Sequence, residues 1–122
     1  MLFRSLIDIL VVNAVEAEMM GTAPVASLAD ATTAARQLGD RFAKVIVTAG
    51  AHGLAVRSET GDVLSIPAQK VKVVSSHGAG DAFIGALASR LVRGDALVSA
   101  CRLAAAAAAR HVAGLSNQLG AT

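Results

Sequence analysis

Tryptophan and tyrosine are absent from this 122-residue chain, and three phenylalanines are its only aromatics. Platforms for stacking the bases of a single strand are therefore missing. The core must be built from Val, Leu, Ile and Ala, which supply most of the 54% apolar content. One cysteine, Cys101, excludes an internal disulfide and any multi-cysteine metal cluster. It lies in an apolar helical pattern and reads as a small buried filler. Charge of neither sign dominates: eleven Lys and Arg face nine Asp and Glu, a net +2. No Lys/Arg block exceeds two residues, so the basic pI does not imply a nucleic-acid partner. No apolar run is long enough to span a bilayer. Met1-Leu2-Phe3-Arg4 lacks the order of a secretory leader. The cytoplasm is the expected location, by default.

The length implies one domain with room for a real core. Ile7–Val12 is a short apolar, β-branched run and reads as a buried strand ending at Asn13. Ala14–Met20 reads as a short helix, and Gly21-Thr22-Ala23-Pro24 as a break. Ser27 opens a second helix with Asp30 as its capping-box partner. Leu28, Ala31, Ala35 and Leu38 share a face of that helix, and Gly39 is its natural stop. Val45–Thr48 is a second buried strand, followed by the glycine-rich turn Ala49-Gly50-Ala51-His52-Gly53. Leu54–Arg57 and Val63–Ile66 read as strands joined through the hairpin pair Gly61-Asp62. Val71–Val74 is a further short strand. Gly80–Arg93 forms a helix with Phe83, Leu87 and Leu91 in register. Gly94 separates it from a last helix, Asp95 to about Val112, apolar nearly all round and so expected to be buried. Its Ala104–Ala109 run suits close packing of another backbone or a flat ligand. The tail Ser116–Thr122 is expected to fray.

Alternation at the start argues for an α/β layered sheet with flanking helices. Ligands of such sheets bind at the carboxyl ends of the strands. Asn13, Thr48 and the loop Ser75–Gly80 all follow strand ends, so their polar groups should converge on one edge.

The most informative stretch is Ser75-Ser76-His77-Gly78-Ala79-Gly80-Asp81-Ala82-Phe83. It places two glycines and an aspartate where a helical pattern begins. A helix start leaves backbone N–H groups unpaired, and with the dipole they form an anion site. Glycines let a phosphate approach the backbone closely. A carboxylate beside an anion hole is unfavourable as structure but sensible as chemistry, if it takes a proton from a hydroxyl that attacks the phosphate. The plainer account of Asp81 is an acid favoured in a helix's first turn.

Asn13 and Glu16 form an Asn-x-x-Glu pair at the end of the first strand. Glu16, and less well Glu18, suits Mg²⁺ held through water, since that ion keeps much of its hydration shell. A solvated acidic helix start explains them equally. The turn from Thr48 to Gly53 suits a nucleotide lying on bare backbone, or simply joins two strands. His52, His77 and His111 show no metal-ligand spacing.

These pieces, in this order, resemble the ribokinase-like or PfkB carbohydrate kinase family. The segments that carry the resemblance are Asn13-Ala14-Val15-Glu16, then Val45-Ile46-Val47-Thr48-Ala49-Gly50-Ala51-His52-Gly53, then His77-Gly78-Ala79-Gly80-Asp81-Ala82-Phe83. The helical stretch from Gly85 to Val112 resembles the family's C-terminal part. The resemblance implies a partial ribokinase-like layered sheet and an ATP-dependent kinase that moves the γ-phosphate to an alcohol of a sugar or nucleoside-like compound. It implies that Asp81 is the general base and that backbone amides of Gly78, Ala79, Gly80 and Asp81 form the anion hole. Asn13 and Glu16 would organise Mg²⁺ and the phosphates. Thr48, Gly50 and Gly53 would line the ATP site, and Ala105 would contact the adenine. Phosphoryl transfer is mostly positioning and charge stabilisation, which suits these parts.

Two departures stand out. The family's loop commonly opens with an aspartate and two threonines, where this chain has Ser75-Ser76-His77; that puts monovalent-cation (potassium) activation in doubt. Family members are also more than twice as long, so the chain reads as residues 1–122 of a C-terminal portion, without the N-terminal substrate and lid part, and as it stands is expected to be weak or inactive. Its first strand would then present an exposed sheet edge that invites association, with a copy of itself or another partner. The alternative is a non-catalytic nucleotide- or partner-binding module. A dinucleotide-binding domain is set aside, because no Gly-x-Gly-x-x-Gly follows the first strand.

Overall fold

The computed structural model describes residues 9–69 and 79–113. In order, these form β1 (Ile9–Asn13), α1 (Ala14–Met19), α2 (Leu28–Leu38), β2 (Lys44–Thr48), a 3₁₀ turn (Gly50–His52), β3 (Gly53–Arg57), β4 (Val63–Pro67), α3 (Ala79–Val92) and α4 (Leu97–Ala113). The mixed α/β architecture expected from the sequence is present. The expected strand Val71–Val74 and the tail Ser116–Thr122 lie outside the described residues. The chain divides into two compact units, Met1–Ala68 and Gln69–Thr122.

The first unit is a four-stranded sheet in the order β1-β2-β3-β4. β1 and β2 are parallel, and β2-β3 and β3-β4 are antiparallel. Parallel neighbours need a crossover, which α1 and α2 supply. The registers Leu10↔Val45, Val12↔Val47 and Val47↔Ala55 put these side chains on one face. There they pack with Ala17 and with Ala31, Ala34, Ala35 and Leu38 of α2. The small alanines let α2 approach the sheet closely. Strand alternation sends Ile46, Leu54, Val56 and Ile66 to the other face, where they are buried too.

Local chemistry sets the element ends. Ser27 caps α2 by accepting the Asp30 N–H at 3.1 Å. The short Asp30 carboxylate reaches the N–H of Ala26, at 3.0 Å, so the expected reciprocal box is displaced by one residue. Gly39 ends α2 as expected, but for another reason. Its φ is −61°, ordinary helical backbone, so no left-handed turn requires glycine. A Cβ at Gly39 would instead overlap the Arg57 side chain, whose Nη1 donates to the Ala43 carbonyl at 2.6 Å. The β3–β4 connection also differs from a two-residue hairpin. It is the longer turn from Ser58 to Asp62, closed by Ser58 N–H to the Asp62 carbonyl at 2.9 Å, with Gly61 at φ +93°.

The second unit, where described, is the pair of consecutive helices α3 and α4, which pack on each other. Phe83 and Leu87 are buried and Leu91 half-buried, which matches the expected register. α4 departs from expectation. It buries Ala100, Cys101 and Ala104, while Ser99, Arg102, Leu103 and Arg110 are exposed. Arg102 and Arg110 recur at a spacing that keeps one stripe polar, so the helix is amphipathic rather than buried all round.

Candidate functional site

The sequence Val12-Asn13-Ala14-Val15-Glu16 passes straight from strand to helix. Asn13 has extended backbone (φ −91°, ψ 178°) and is the N-cap of α1. Its Oδ1 accepts the Glu16 N–H at 2.8 Å, and Glu16 Oε1 accepts the Asn13 N–H at 2.9 Å. The two residues singled out as a ligand pair thus form a complete capping box. Both are exposed. One Glu16 oxygen, Oε1, is occupied by the backbone; the box leaves Oε2 without a share in it.

Thr48 sits directly beside Asn13, its partner in the parallel register. The two residues end adjacent strands, and both belong to the sheet face opposite α2. The Thr48 hydroxyl donates to the Val12 carbonyl at 3.5 Å, a weak contact. It therefore keeps most of its capacity for another partner. The carboxyl ends of β1 and β2 do bring Asn13, Glu16 and Thr48 together.

The two turn glycines differ. Gly53 has φ +118°, and a Cβ there would strike the Ile66 carbonyl oxygen and lie 2.8 Å from the Ala68 nitrogen. Glycine at this position is demanded by the close approach of β4. Gly50 has φ +55°, and a Cβ there would meet nothing within 4 Å among the described residues. Its bare backbone faces open space just past the end of β2. Ala49 N–H to the Gly53 carbonyl (2.8 Å) and His52 N–H to the Ala49 carbonyl (3.0 Å) hold the turn.

Glu18 does not join this group. Its Oε2 accepts the Val25 N–H at 3.1 Å. With Gln37, which accepts the Ala23 N–H at 3.1 Å, and Arg41, which donates to the Met20 carbonyl at 2.9 Å, it pins the segment between α1 and α2. Sequence reading did not foresee this latch. Its side chains, Glu18, Gln37 and Arg41, are scattered along the chain, and Met19-Met20 and Val25-Ala26 flank the break, so no local pattern signals it.

In the second unit, Ala79, Gly80 and Asp81 form the first turn of α3, and Gly80 and Asp81 are exposed. A Cβ on Gly80 would meet nothing within 4 Å among the described residues. Phe83, two residues on, is buried and anchors the turn that carries Asp81. Gly78 lies outside the described residues, as do Ser75, Ser76 and His77. Ala105 is half-buried on α4, next to fully buried Ala104. Cys101 is buried, and desolvation pushes its thiol up to about 12, which marks it as inert core rather than a nucleophile.

Residues 1–119 match the model of the pfkB family of carbohydrate kinases. The chain belongs to that family. It is 35% identical over 112 residues to deoxyribokinase of Salmonella typhi, covering 91% of this chain and 36% of that protein. It is 40% identical over 90 residues to the bifunctional protein HldE of Azorhizobium caulinodans, covering 73% of this chain and 19% of that one. Among solved structures, Arabidopsis thaliana ribokinase complexed with ribose and ATP superposes with a TM-score of 0.75 at 28% identity, over 86% of this chain and 34% of that chain. The ribokinase-like fold expected from the motifs is thus present. The chain spans about a third of the length of the deoxyribokinase and of the ribokinase chain.

Proposed function

We propose that this chain is the nucleotide and catalytic portion of an ATP-dependent phosphotransferase that moves the γ-phosphate to an alcohol of a sugar or nucleoside-like substrate. The observation that carries the reading is the meeting of Asn13, Glu16 and Thr48 at the carboxyl ends of β1 and β2, beside the open backbone of Gly50. Strand ends of an open α/β sheet are where ligands of such folds bind.

The donor set there suits Mg²⁺: exposed carboxylate and amide oxygens, which a hard ion takes through its water shell. Mg²⁺ would be held through Glu16 with Asn13 and would supply charge neutralisation of the phosphates. Thr48 offers a hydroxyl to a phosphate or ribose oxygen, and Gly50 lets the nucleotide lie against the main chain. Gly53 supports this surface by closing the turn on β4. Amides of Gly78, Ala79, Gly80 and Asp81, at a helix start, would receive the γ-phosphate. Asp81 would accept the proton of the attacking hydroxyl as the new oxygen–phosphorus bond forms and the bond to ADP breaks. Ala105, small and half-buried, would allow the adenine to approach α4.

Potassium dependence is not expected, because Ser75-Ser76-His77 stands where many family members carry an acid. Cytoplasmic localisation fits the same reading, and no helix among the described residues is long and apolar enough to cross a membrane. The deciding experiment follows labelled γ-phosphate from Mg-ATP to a panel of sugar and nucleoside alcohols, with Asp81→Asn as control. Transfer by the native chain and none by the variant, with ATP binding equal in both, supports the proposal. Binding without transfer in both, once the remaining part of a PfkB-type kinase domain is supplied, favours a non-catalytic nucleotide-binding module.

A further inference from the structure

The helix α1 carries Glu16 in its first turn and is only six residues long. An isolated helix of that length is unstable in water, so its direction must be set from outside. Packing contributes little: of its residues Ala17 is buried, while Val15 and Met19 are exposed. The capping box fixes the start of α1. Its far end is held by hydrogen bonds from elsewhere in the same unit. Arg41 Nη2 donates to the Met20 carbonyl at 2.9 Å, and the Met20 N–H donates to the Glu16 carbonyl at 3.1 Å. The Arg41 guanidinium is thereby linked to the main chain of Glu16 through a single residue. Gln37 and Glu18 tie down the segment that follows, at Ala23 and Val25. Arg41 is itself anchored, for its N–H donates to the carbonyl of Leu38, the last residue of α2, at 3.0 Å. Leu38 packs against the sheet with Ala31, Ala34 and Ala35. The same sheet carries Asn13 and Thr48 at its strand ends. Arg41 is exposed, and its guanidinium stands 6.0 Å from the Phe42 ring, at the outer limit of a cation–π contact. Core packing therefore does not account for it.

We propose that Arg41 is a positioning residue: through Met20 it fixes the axis of α1 and so holds the Glu16 carboxylate at the carboxyl ends of β1 and β2, where it meets magnesium-bound nucleotide. The proposal rests on the kinase reading for the identity of the ligand. The plainer role for such an arginine is to satisfy a carbonyl at a helix end, and the two roles differ in what they do to magnesium.

The test uses the full 122-residue chain with Arg41→Ala, Arg41→Lys, Glu16→Gln and the double variant Glu16→Gln with Arg41→Ala. Arg36→Ala, exposed on α2, controls for the lost positive charge. ATP binding is titrated with Mg²⁺ and with chelator, and amide exchange is read without nucleotide. Arg41→Ala should weaken Mg-ATP binding about tenfold, the lower end for a group acting behind a metal-binding carboxylate, and leave metal-free ATP binding unchanged. The double variant should bind no more weakly than Glu16→Gln, since residues acting through one another are not additive. Arg41→Lys keeps a donor for Met20 and should recover most of the affinity, and Arg36→Ala should match the native chain. In Arg41→Ala the amides of Glu16 and Met20 should exchange about threefold or more faster than in the native chain. Arg41→Met, which keeps the aliphatic stem without the donor, replaces Arg41→Ala if that variant fails to fold. Equal losses with and without Mg²⁺, additive losses in the double variant, or unchanged exchange at Glu16 would each overturn the proposal. Mg-ATP binding undiminished in Arg41→Ala keeps the kinase reading and removes this role. Faster exchange at Glu16 in a chain that binds no Mg-ATP, even with the remaining part of a PfkB-type kinase domain supplied, keeps the link from Arg41 to Glu16 and overturns the nucleotide reading.

Discussion

Asn13 and Glu16 exchange two hydrogen bonds, of 2.8 and 2.9 Å, that close the start of α1. The pair has a structural duty and a proposed ligand duty, and substitution separates them. Glutamine also completes a capping box. Glu16→Gln should therefore leave stability within about 0.5 kcal/mol of the native value, because only an exposed charge is lost. It should nevertheless weaken Mg-ATP binding, because a neutral amide is a poorer partner for a hydrated divalent ion. Asn13→Ala removes the cap and should cost about 1 kcal/mol. Urea unfolding and calorimetric titration read the two effects independently.

Gly50 and Gly53 should respond oppositely to alanine. Gly53→Ala must resolve a backbone overlap with Ile66 at φ +118°, and a loss above about 2 kcal/mol is expected. Gly50→Ala meets no neighbour among the described residues and should cost only the left-handed strain, about 1 kcal/mol. Its larger effect should fall on nucleotide affinity, since the added methyl enters the space the ligand would use. Chemical denaturation of both variants, followed by ATP titration, checks the contrast.

Much of this was legible in the sequence, and the reasons differ by element. β1 and β2 were clear because both are unbroken apolar runs, mostly β-branched, between polar stops. The caps at Asn13 and Ser27 were clear because capping chemistry is local. Gly39 was placed correctly and explained wrongly: its constraint comes from Arg57, eighteen positions away, and no local pattern carries that. Glu18 was the weaker candidate beside Glu16, since it lacks the Asn13 partner, and its bond to Val25 depends on how the following segment folds back. The exposed stripe of α4 was underestimated because a run of alanines masks the weak polar rhythm of Ser99, Arg102 and Arg110. For the site, the strand-end residues Asn13 and Thr48 followed from topology, because parallel pairing brings both ends to one place.

Cys101 gives a prediction free of the functional reading. Burial raises its thiol to about 12 from an ordinary 9.0, so the folded state retains a proton that the unfolded state has lost. Stability should be unaffected below about pH 9 and should fall as pH rises from there toward 12. A thiol reagent at pH 8 should label the native chain slowly and the urea-unfolded chain at once. Rapid labelling of the native chain would show that this part of α4 is open.

Asp81 is exposed in the first turn of α3, so its carboxylate contributes little to packing. Asp81→Asn should keep the fold and nucleotide affinity while lowering turnover by about 10²–10⁴-fold, the usual worth of a general base. The comparison uses whichever preparation transfers phosphate, the chain alone or the chain supplied with the remaining part of a PfkB-type kinase domain. Unchanged turnover would remove Asp81 from the proton-accepting role.

The account rests most heavily on the carboxyl ends of β1 and β2 as the place where the nucleotide binds. The direct measurement is a titration of the isotopically labelled chain with Mg-ATP, following backbone amides by nuclear magnetic resonance. Saturable shifts at Asn13, Glu16, Thr48 and Gly50, with the hairpin residues Ser58–Asp62 unmoved, are predicted. Shifts confined to that hairpin, or no saturable response at the strand ends, would contradict the account.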